Sequence, residues 1–355
     1  MATQIRHILV AIGDVRRAPQ RELRKAGTLA RAARATVELF HAIDEPDPAR
    51  SFPETATQAE VDQQRGAIVE KYRRRLERFG RDASLRGVTV RCTASWDYPL
   101  HAAIIRRALA ARSDLVIAAT RGHRFRAGLL LRNTDWELIR HCPVPLLLVK
   151  SSRAYRRPLV LAAVDPYHAR AKPADLDARL LQAGGEIARL LHGSLQVFHA
   201  YMPLVSVQPM AMAAAPMVMM PPEAEEAHTE QVMHTICRLA DKAGIPRNRC
   251  HVRMGEVAEA LSAFARRSGT AIVVMGAVSR SAIMRWFIGN TAERTLDRLT
   301  CDALIVKPRG FRSGIERAPA VSATRSRGLR GRPRRSRGAA VAARAVPPPF
   351  LWTAG

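Results

Sequence analysis

The strongest constraint on how this chain folds is that it is written twice. Displaced by 157 residues, Leu148-Val149-Lys150 falls on Ile305-Val306-Lys307, Asn133-Thr134 on Asn290-Thr291, and Asp114-Leu115-Val116-Ile117 on Ala271-Ile272-Val273-Val274. Upstream, Phe40-His41-Ala42 meets Phe198-His199-Ala200 at a displacement of 158, and Asp14 meets Asp165 at 151. A displacement that drifts by a few residues is what loop insertions leave between two copies of one domain-sized unit. The 355 residues then divide at the boundaries 1–152 and 153–310, followed by a tail, 311–355. Each copy, at about 150 residues, is long enough to close its own core.

In the first copy Ile8-Leu9-Val10-Ala11-Ile12 is an unbroken apolar run ended by Gly13-Asp14, the pattern of a strand covered on both faces. Leu23, Ala26, Leu29 or Ala30, and Ala33 follow at helical spacing, 37–43 reads as a second strand, and Val61, Ile68, Tyr72, Leu76 and Phe79 mark one face of a long helix. Gly87 breaks that helix. Val88-Thr89-Val90 is the expected third strand, Leu100, Ile104, Ile105 and Leu109 the next helix, 115–117 the fourth strand and 146–149 the fifth. The second copy starts the same alternation at Leu159. Strands and helices that alternate in this way give an α/β fold, and connection rules favour a doubly wound five-stranded parallel sheet in each copy. Residues 151–157 are too few for a free linker. The copies are therefore expected to pack as an internal pseudo-dimer in which 146–149 meets 304–306.

With 47% hydrophobic residues, globular folding is the default, and the formal charge of +26 has to be located before it is interpreted. Residues 311–355 hold ten Arg against one Glu, a contribution of +9, which leaves +17 on residues 1–310. The stretch 325–337 alternates Arg with Ser, Gly and Pro. Such composition buries no core, but it would hold phosphate backbones nonspecifically and in a salt-sensitive way. The five cysteines, Cys92, Cys142, Cys237, Cys250 and Cys301, show no C-x-x-C and no zinc-type Cys/His spacing, which fits a reduced compartment. No apolar run approaches the roughly 18 residues of a membrane span, and the start lacks the apolar core of a signal peptide. A cytoplasmic protein without a membrane partner is expected.

The stretch with most chemistry begins where the apolar run Ile272-Val273-Val274-Met275 stops at Gly276. A basic loop follows, and Gly289-Asn290-Thr291 opens a helix-like segment. A strand that stops at Gly before a loop ending in small polar residues at a helix start is how α/β folds aim backbone N–H groups at an anion. Asn290 with Glu293 three residues on also fits a capping box, which needs no ligand.

The residues from Gly276 to Glu293 resemble the universal stress protein family, whose nucleotide-binding members carry G-x2-G-x9-G-[S/T] between the fourth strand and the last helix. Gly276 and Gly289 sit at the first and last glycine positions, and Arg280, Ser281 and Arg285 also match, while Ser279 stands at the middle Gly and Asn290 at the Ser/Thr. The forms Asn133-Thr134-Asp135-Trp136 and Gly289-Asn290-Thr291-Ala292-Glu293 are most similar to the tandem, E-type branch. The resemblance implies two sheets of the kind already reached from periodicity, and ATP or a related nucleotide as ligand in some members. Carried over residue by residue, it points in the second copy to Asp165, Gly276, Ser279, Arg280, Gly289, Asn290 and Thr291. Gly276 would permit a turn without a Cβ clash, and Gly289 would let a phosphate approach bare backbone. A Cβ at Ser279 penalises any left-handed conformation there by about 1 kcal/mol. In the first copy the three glycine positions are Ala119, Gly122 and Arg132, so that copy is read as scaffold.

No Walker, dinucleotide, nucleophile-elbow or metalloprotease motif occurs. His41 and His199, at equivalent strand ends, read as structural, and Cys142 and Cys301 as small buried thiols. The reading is a non-catalytic, cytoplasmic stress-response protein whose second copy senses an adenine nucleotide or another anion. A slow ATPase stays open, with no residue identified as its general base. Two other readings also stay open: nucleic-acid or acidic-partner binding through the Arg-rich tail, and an apolar-ligand carrier using the Met-rich segment 202–222. Further dimerisation of the tandem chain is left undecided by the sequence.

Overall fold

The computed structural model describes residues 4–45, 57–120, 124–125, 128–129, 133–168, 175–202, 222–277 and 290–315. In the first half, β1 (His7–Ala11), α1 (Gln20–Ala33), β2 (Thr36–Ile43), α2 (Gln58–Gly80), β3 (Val90–Trp96), α3 (Leu100–Ala110) and β4 (Leu115–Ala119) are followed by α4 (Asn133–His141) and β7 (Leu146–Val149). Between β4 and α4, β5 (Arg124–Phe125) and β6 (Gly128–Leu129) pair with each other. The second half runs β8 (Leu159–Ala163), α5 (Leu176–Leu190), β9 (Ser194–Tyr201), α6 (Pro222–Asp241), β10 (Cys250–Met254), α7 (Val257–Arg267), β11 (Ile272–Gly276), α8 (Asn290–Arg298) and β12 (Asp302–Val306).

Each half forms a five-stranded parallel sheet, in the order β3-β2-β1-β4-β7 and β10-β9-β8-β11-β12. Counted within its own half, each order is 3-2-1-4-5, a doubly wound sheet that reverses direction of growth beside its first strand. The two sheets run on into one another. β12 pairs antiparallel with β7 through Ala303↔Leu148, Leu304↔Leu147 and Ile305↔Leu146, which makes one continuous ten-stranded sheet. Because that join is antiparallel, the strands of the two halves point in opposite directions, and their C-terminal ends lie on opposite edges of the shared sheet.

Period-two alternation sorts the strand residues onto the two faces. Ile8, Val10, Leu115, Ile117, Val160 and Ala162 join one core with Leu23 of α1, Leu76 of α2, Leu180 of α5 and Ile236 of α6. Leu9, Val116, Leu161 and Val273 join the other with Ile105 of α3, Ile139 of α4, Leu261 of α7 and Leu296 of α8. The third strand departs from the expectation of 88–90. Gly87 takes φ 75, and Val88 N–H donates to the Leu85 carbonyl at 3.0 Å, which keeps 88 in a turn. β3 is an edge strand that carries Arg91, Thr93 and Ser95, so it lacks the continuous apolar run by which the inner strands are recognised.

One carboxylate organises the join. Asp302, wholly buried at the start of β12, accepts hydrogen bonds from the backbone N–H of Lys150 and of Ser151, each at 2.8 Å. Its other oxygen accepts from Tyr155 Oη at 2.6 Å and pairs with Lys25 Nζ at 2.9 Å. Lys25, 3% exposed on α1, also lies 3.7 Å from the centre of the Tyr155 ring. Burial lowers the Lys25 ammonium from its usual range and Asp302 works against that fall; burial and Asp302 together push the Tyr155 phenol well up. Asp302→Asn is expected to lower unfolding free energy by about 3–5 kcal/mol in urea, because it strands a buried ammonium. Adding Lys25→Met should recover part of that loss.

A second buried carboxylate sits nearer the outer edge. Glu38 of β2, 1% exposed, accepts from Thr93 Oγ1 at 2.7 Å and Arg107 Nε at 2.6 Å, with His7 Nε2 at 3.4 Å. Burial alone would raise this carboxyl, yet the bonds from His7 and Thr93 and the charge of Arg107 bring it down to about 2. A folded value below the unfolded one, about 4.3, makes its contribution to stability complete above that unfolded value and lost as pH falls through about 2. Glu38→Gln is expected to cost about 3 kcal/mol at neutral pH. In denaturant titrations the gap to wild type should close in acid.

Candidate functional site

The candidate site of the second half is the C-terminal edge of β8 and β11. These neighbours pair in parallel through Ile272↔Val160, Val273↔Leu161 and Val274↔Ala162, and the strand order reverses between them. Crevices outside strand ends at such a reversal are where open α/β sheets take ligands. Asp165 follows β8 and is half-buried; its N–H donates to Asp177 Oδ1 in the first turn of α5 at 3.2 Å. Gly276 ends β11, and Asn290 and Thr291 open α8, the helix before β12. The structure thus brings Asp165 and Gly276 to the ends of adjacent strands and puts Asn290 and Thr291 at a helix start. Ser279, Arg280 and Gly289 lie outside the described residues, as do most of the Met-rich segment 202–222 and the tail stretch 325–337.

Gly276 has a φ outside the left-handed region, and a Cβ there would stand 2.8 Å from Leu176 Cδ2, so the clash that the glycine avoids is one of packing. The glycine makes room for the first residue of α5. Glu293 pairs with Arg140 of α4 at 3.3 Å, across the join; the side chain of Asn290, its expected capping partner, lies outside what the structure describes.

Two devices hold the strand ends, and each occurs in both copies or at equivalent positions. His199 Nδ1 donates to the Val164 carbonyl at 2.9 Å, and His41 Nδ1 donates to the Ile12 carbonyl at 2.7 Å. A carbonyl only accepts, which fixes the proton on Nδ1 in both rings. Both histidines are buried, and each pins the segment that carries an aspartate, Asp165 or Asp14. The second device is a pair of buried lysines one copy apart. Lys307 Nζ donates to the Ala277 carbonyl at 2.5 Å, just past the end of β11, and Lys150 Nζ donates to the Leu296 carbonyl of α8. Burial brings the Lys307 ammonium down to about 8. Sequence reading noticed Lys150 on Lys307 as a mark of the repeat and gave neither a task; a charged residue kept at one place in two apolar strands was the available signal.

The first half has the same strand geometry with other chemistry. A cleft of about 910 Å³ opens outside β1 and β4, lined among the described residues by Asp14, Glu22, Asp44, Asp135 and Glu137 together with Arg17 and Arg21; Glu137 is paired with Arg140 at 2.7 Å. The thiols offer no nucleophile: burial pushes Cys142 up to about 12 and Cys301 up to about 11, far above the range in which a thiolate forms at neutral pH. Among the described residues no group of three His, Cys, Asp or Glu could hold a metal, and no helix is long and apolar enough to cross a membrane.

The class follows from fold and edge together: a tandem, doubly wound α/β protein whose ligand crevices would lie at strand C-termini. The universal stress protein family model matches residues 4–150 and 160–307. Universal stress protein E of Escherichia coli (strain K12) is 30% identical over 236 residues, 65% of this chain and 72% of that protein. The Photorhabdus laumondii universal stress protein E is 25% identical over 234 residues, 65% and 73% respectively. In fold, a Pseudomonas aeruginosa PAO1 protein of unknown function superposes with TM-score 0.62 at 22% identity, covering 86% of this chain and 93% of that one. A universal stress protein from Archaeoglobus fulgidus does so with TM-score 0.52 at 13% identity, covering 85% and 98%. The chain belongs to the universal stress protein family, in its tandem, E-like form, and membership carries a stress-response role.

The histidine clamps give a test of the strand-end geometry. His199→Phe leaves the Val164 carbonyl without its donor and is expected to cost about 1–3 kcal/mol in urea unfolding. His41→Phe should cost a similar amount, since the bond it removes is the same.

Proposed function

We propose that this protein is a non-catalytic, cytoplasmic stress-response protein whose second half senses an adenine nucleotide or a related anion at the C-terminal edge of its sheet. The observation that supports this most is the placement of Asp165 and Gly276 on adjacent parallel strands where the order reverses, with Thr291 in the first turn of α8. The positive end of α8 would favour a phosphate, and Asp165 is the acidic residue at that strand end that would face a ribose or base. Arg280 and Gly289 complete the reading from the sequence, as a charge-assisted donor and as bare backbone. The residues at the first copy's glycine positions, Ala119, Gly122 and Arg132, argue for the second half as the seat.

Equilibrium dialysis with labelled ATP tests the reading. Gly289→Arg and Asp165→Asn should each weaken binding by about tenfold or more, while Asp14→Asn leaves it unchanged. Equal binding by wild type and Gly289→Arg would remove the nucleotide from this half. A second reading, nonspecific nucleic-acid contact through the tail, is favoured by its ten Arg against one Glu. Truncation after Gly310 should then abolish DNA binding and its salt dependence while ATP binding persists.

A further inference from the structure

Where β8, β11 and β12 begin and β7 ends, on the edge opposite the second-half crevice, the protein has a cavity of about 670 Å³. Arg153, Arg156 and Arg157 reach it from the segment that joins the halves, Arg266 from the end of α7, and Lys25 from α1. Among the described residues no Asp or Glu lines it. Lys25 is already balanced by Asp302 at 2.9 Å, so the floor is electrically neutral. The four guanidiniums are not balanced: among the described residues none of them pairs with a carboxylate. The end of α7 does not offset them with open carbonyls, since Gly269 and Thr270 N–H groups donate to the Arg266 and Ala265 carbonyls at 3.3 and 2.9 Å. Arg157 is held at φ 44, a left-handed conformation that a residue with a Cβ seldom adopts and that gathers at ligand sites.

Like charges drawn together around a concave surface repel unless an anion joins them. Guanidinium forks match phosphate oxygens two bonds at a time, and the hydroxyls of Ser151, Thr270 and Thr300 line the same space. The volume falls in the range of small-molecule sites, roughly 300–1,000 Å³, and arginines from two separate elements suit an anion with more than one charged centre. We propose that this cavity binds a small polyanion carrying two or more phosphate groups. It lies on another edge and uses other residues than the nucleotide crevice, so the two readings stand or fall separately.

The test is calorimetric titration of the full chain with sodium tripolyphosphate in about 150 mM salt, where unpaired surface charge is screened beyond about 8 Å. Arg156→Glu/Arg266→Glu is compared with Arg334→Glu/Arg335→Glu, which makes the same charge change in the tail. The cavity variant, melting like wild type by circular dichroism, should bind at least about tenfold more weakly and the tail variant within about twofold of wild type. A smaller loss in the cavity variant, or a tail variant that moves further, overturns the proposal. If Arg156→Glu/Arg266→Glu does not fold, Arg156→Gln/Arg266→Gln is read in its place and must lose at least about threefold. ATP titrated separately distinguishes a nucleotide's phosphate chain from free polyphosphate, and Gly289→Arg should alter neither signal at this cavity. Binding of single-stranded DNA that Arg156→Glu/Arg266→Glu loses and Arg334→Glu/Arg335→Glu keeps, without binding of tripolyphosphate, would make the cavity a nucleic-acid groove and overturn the assignment.

Discussion

The carboxylate of Asp302 is the point on which the two halves turn. Placing an ion at zero exposure is costly unless its lone pairs are all used, and here two backbone N–H groups, a phenol and an ammonium use them. Those four donors come from the end of β7, the joining segment and α1, while the acceptor belongs to β12 in the other copy. The same residues that neutralise the charge therefore fix where the second sheet edge meets the first. The three register pairs between β12 and β7 then close what would otherwise be two open edges.

From that antiparallel join follows the distribution of chemistry over the molecule. One edge of the shared sheet carries the first-half cleft and the cavity lined by arginines; the opposite edge carries Asp165, Gly276 and the start of α8. α1 lies between the two openings on the first edge, with Arg21 at the cleft and Lys25 at the cavity, one helical turn apart. Arg21 also donates to the Lys150 carbonyl at 3.3 Å, which ties the helix to the end of β7. Among the described residues the two openings differ in lining, with five carboxylates and two arginines in one and four guanidiniums without a carboxylate partner in the other.

The copies kept what holds strand ends in place and changed what would touch a ligand. A histidine on the second strand clamps the exit of the first strand in both halves, and a buried lysine at the end of the fifth strand reaches a backbone carbonyl in both. At the position of Gly276, the first copy carries Ala119. In the second copy the missing Cβ is filled by Leu176, so that glycine answers to packing as much as to any ligand.

The sequence by itself determined the repeat and the alternation of strands and helices, because inner parallel strands are buried on both faces and must be continuously apolar; connection rules then favoured a doubly wound sheet, whose order the structure supplied. It also marked Asp165 and the residues from Gly276 to Thr291, since strand-end glycines and helix-opening polar residues are local signals. It misplaced β3, whose edge position leaves three of its seven residues polar, and it held no sign that Glu293 reaches Arg140 on the other copy. Only the tertiary structure decided that the two sheets are one, that Lys25 and Asp302 meet across 277 positions of sequence, and that Arg153, Arg156, Arg157 and Arg266 converge. Pairing of ions and gathering of like charges depend on which distant segments share an edge, and no periodicity within a segment carries that information.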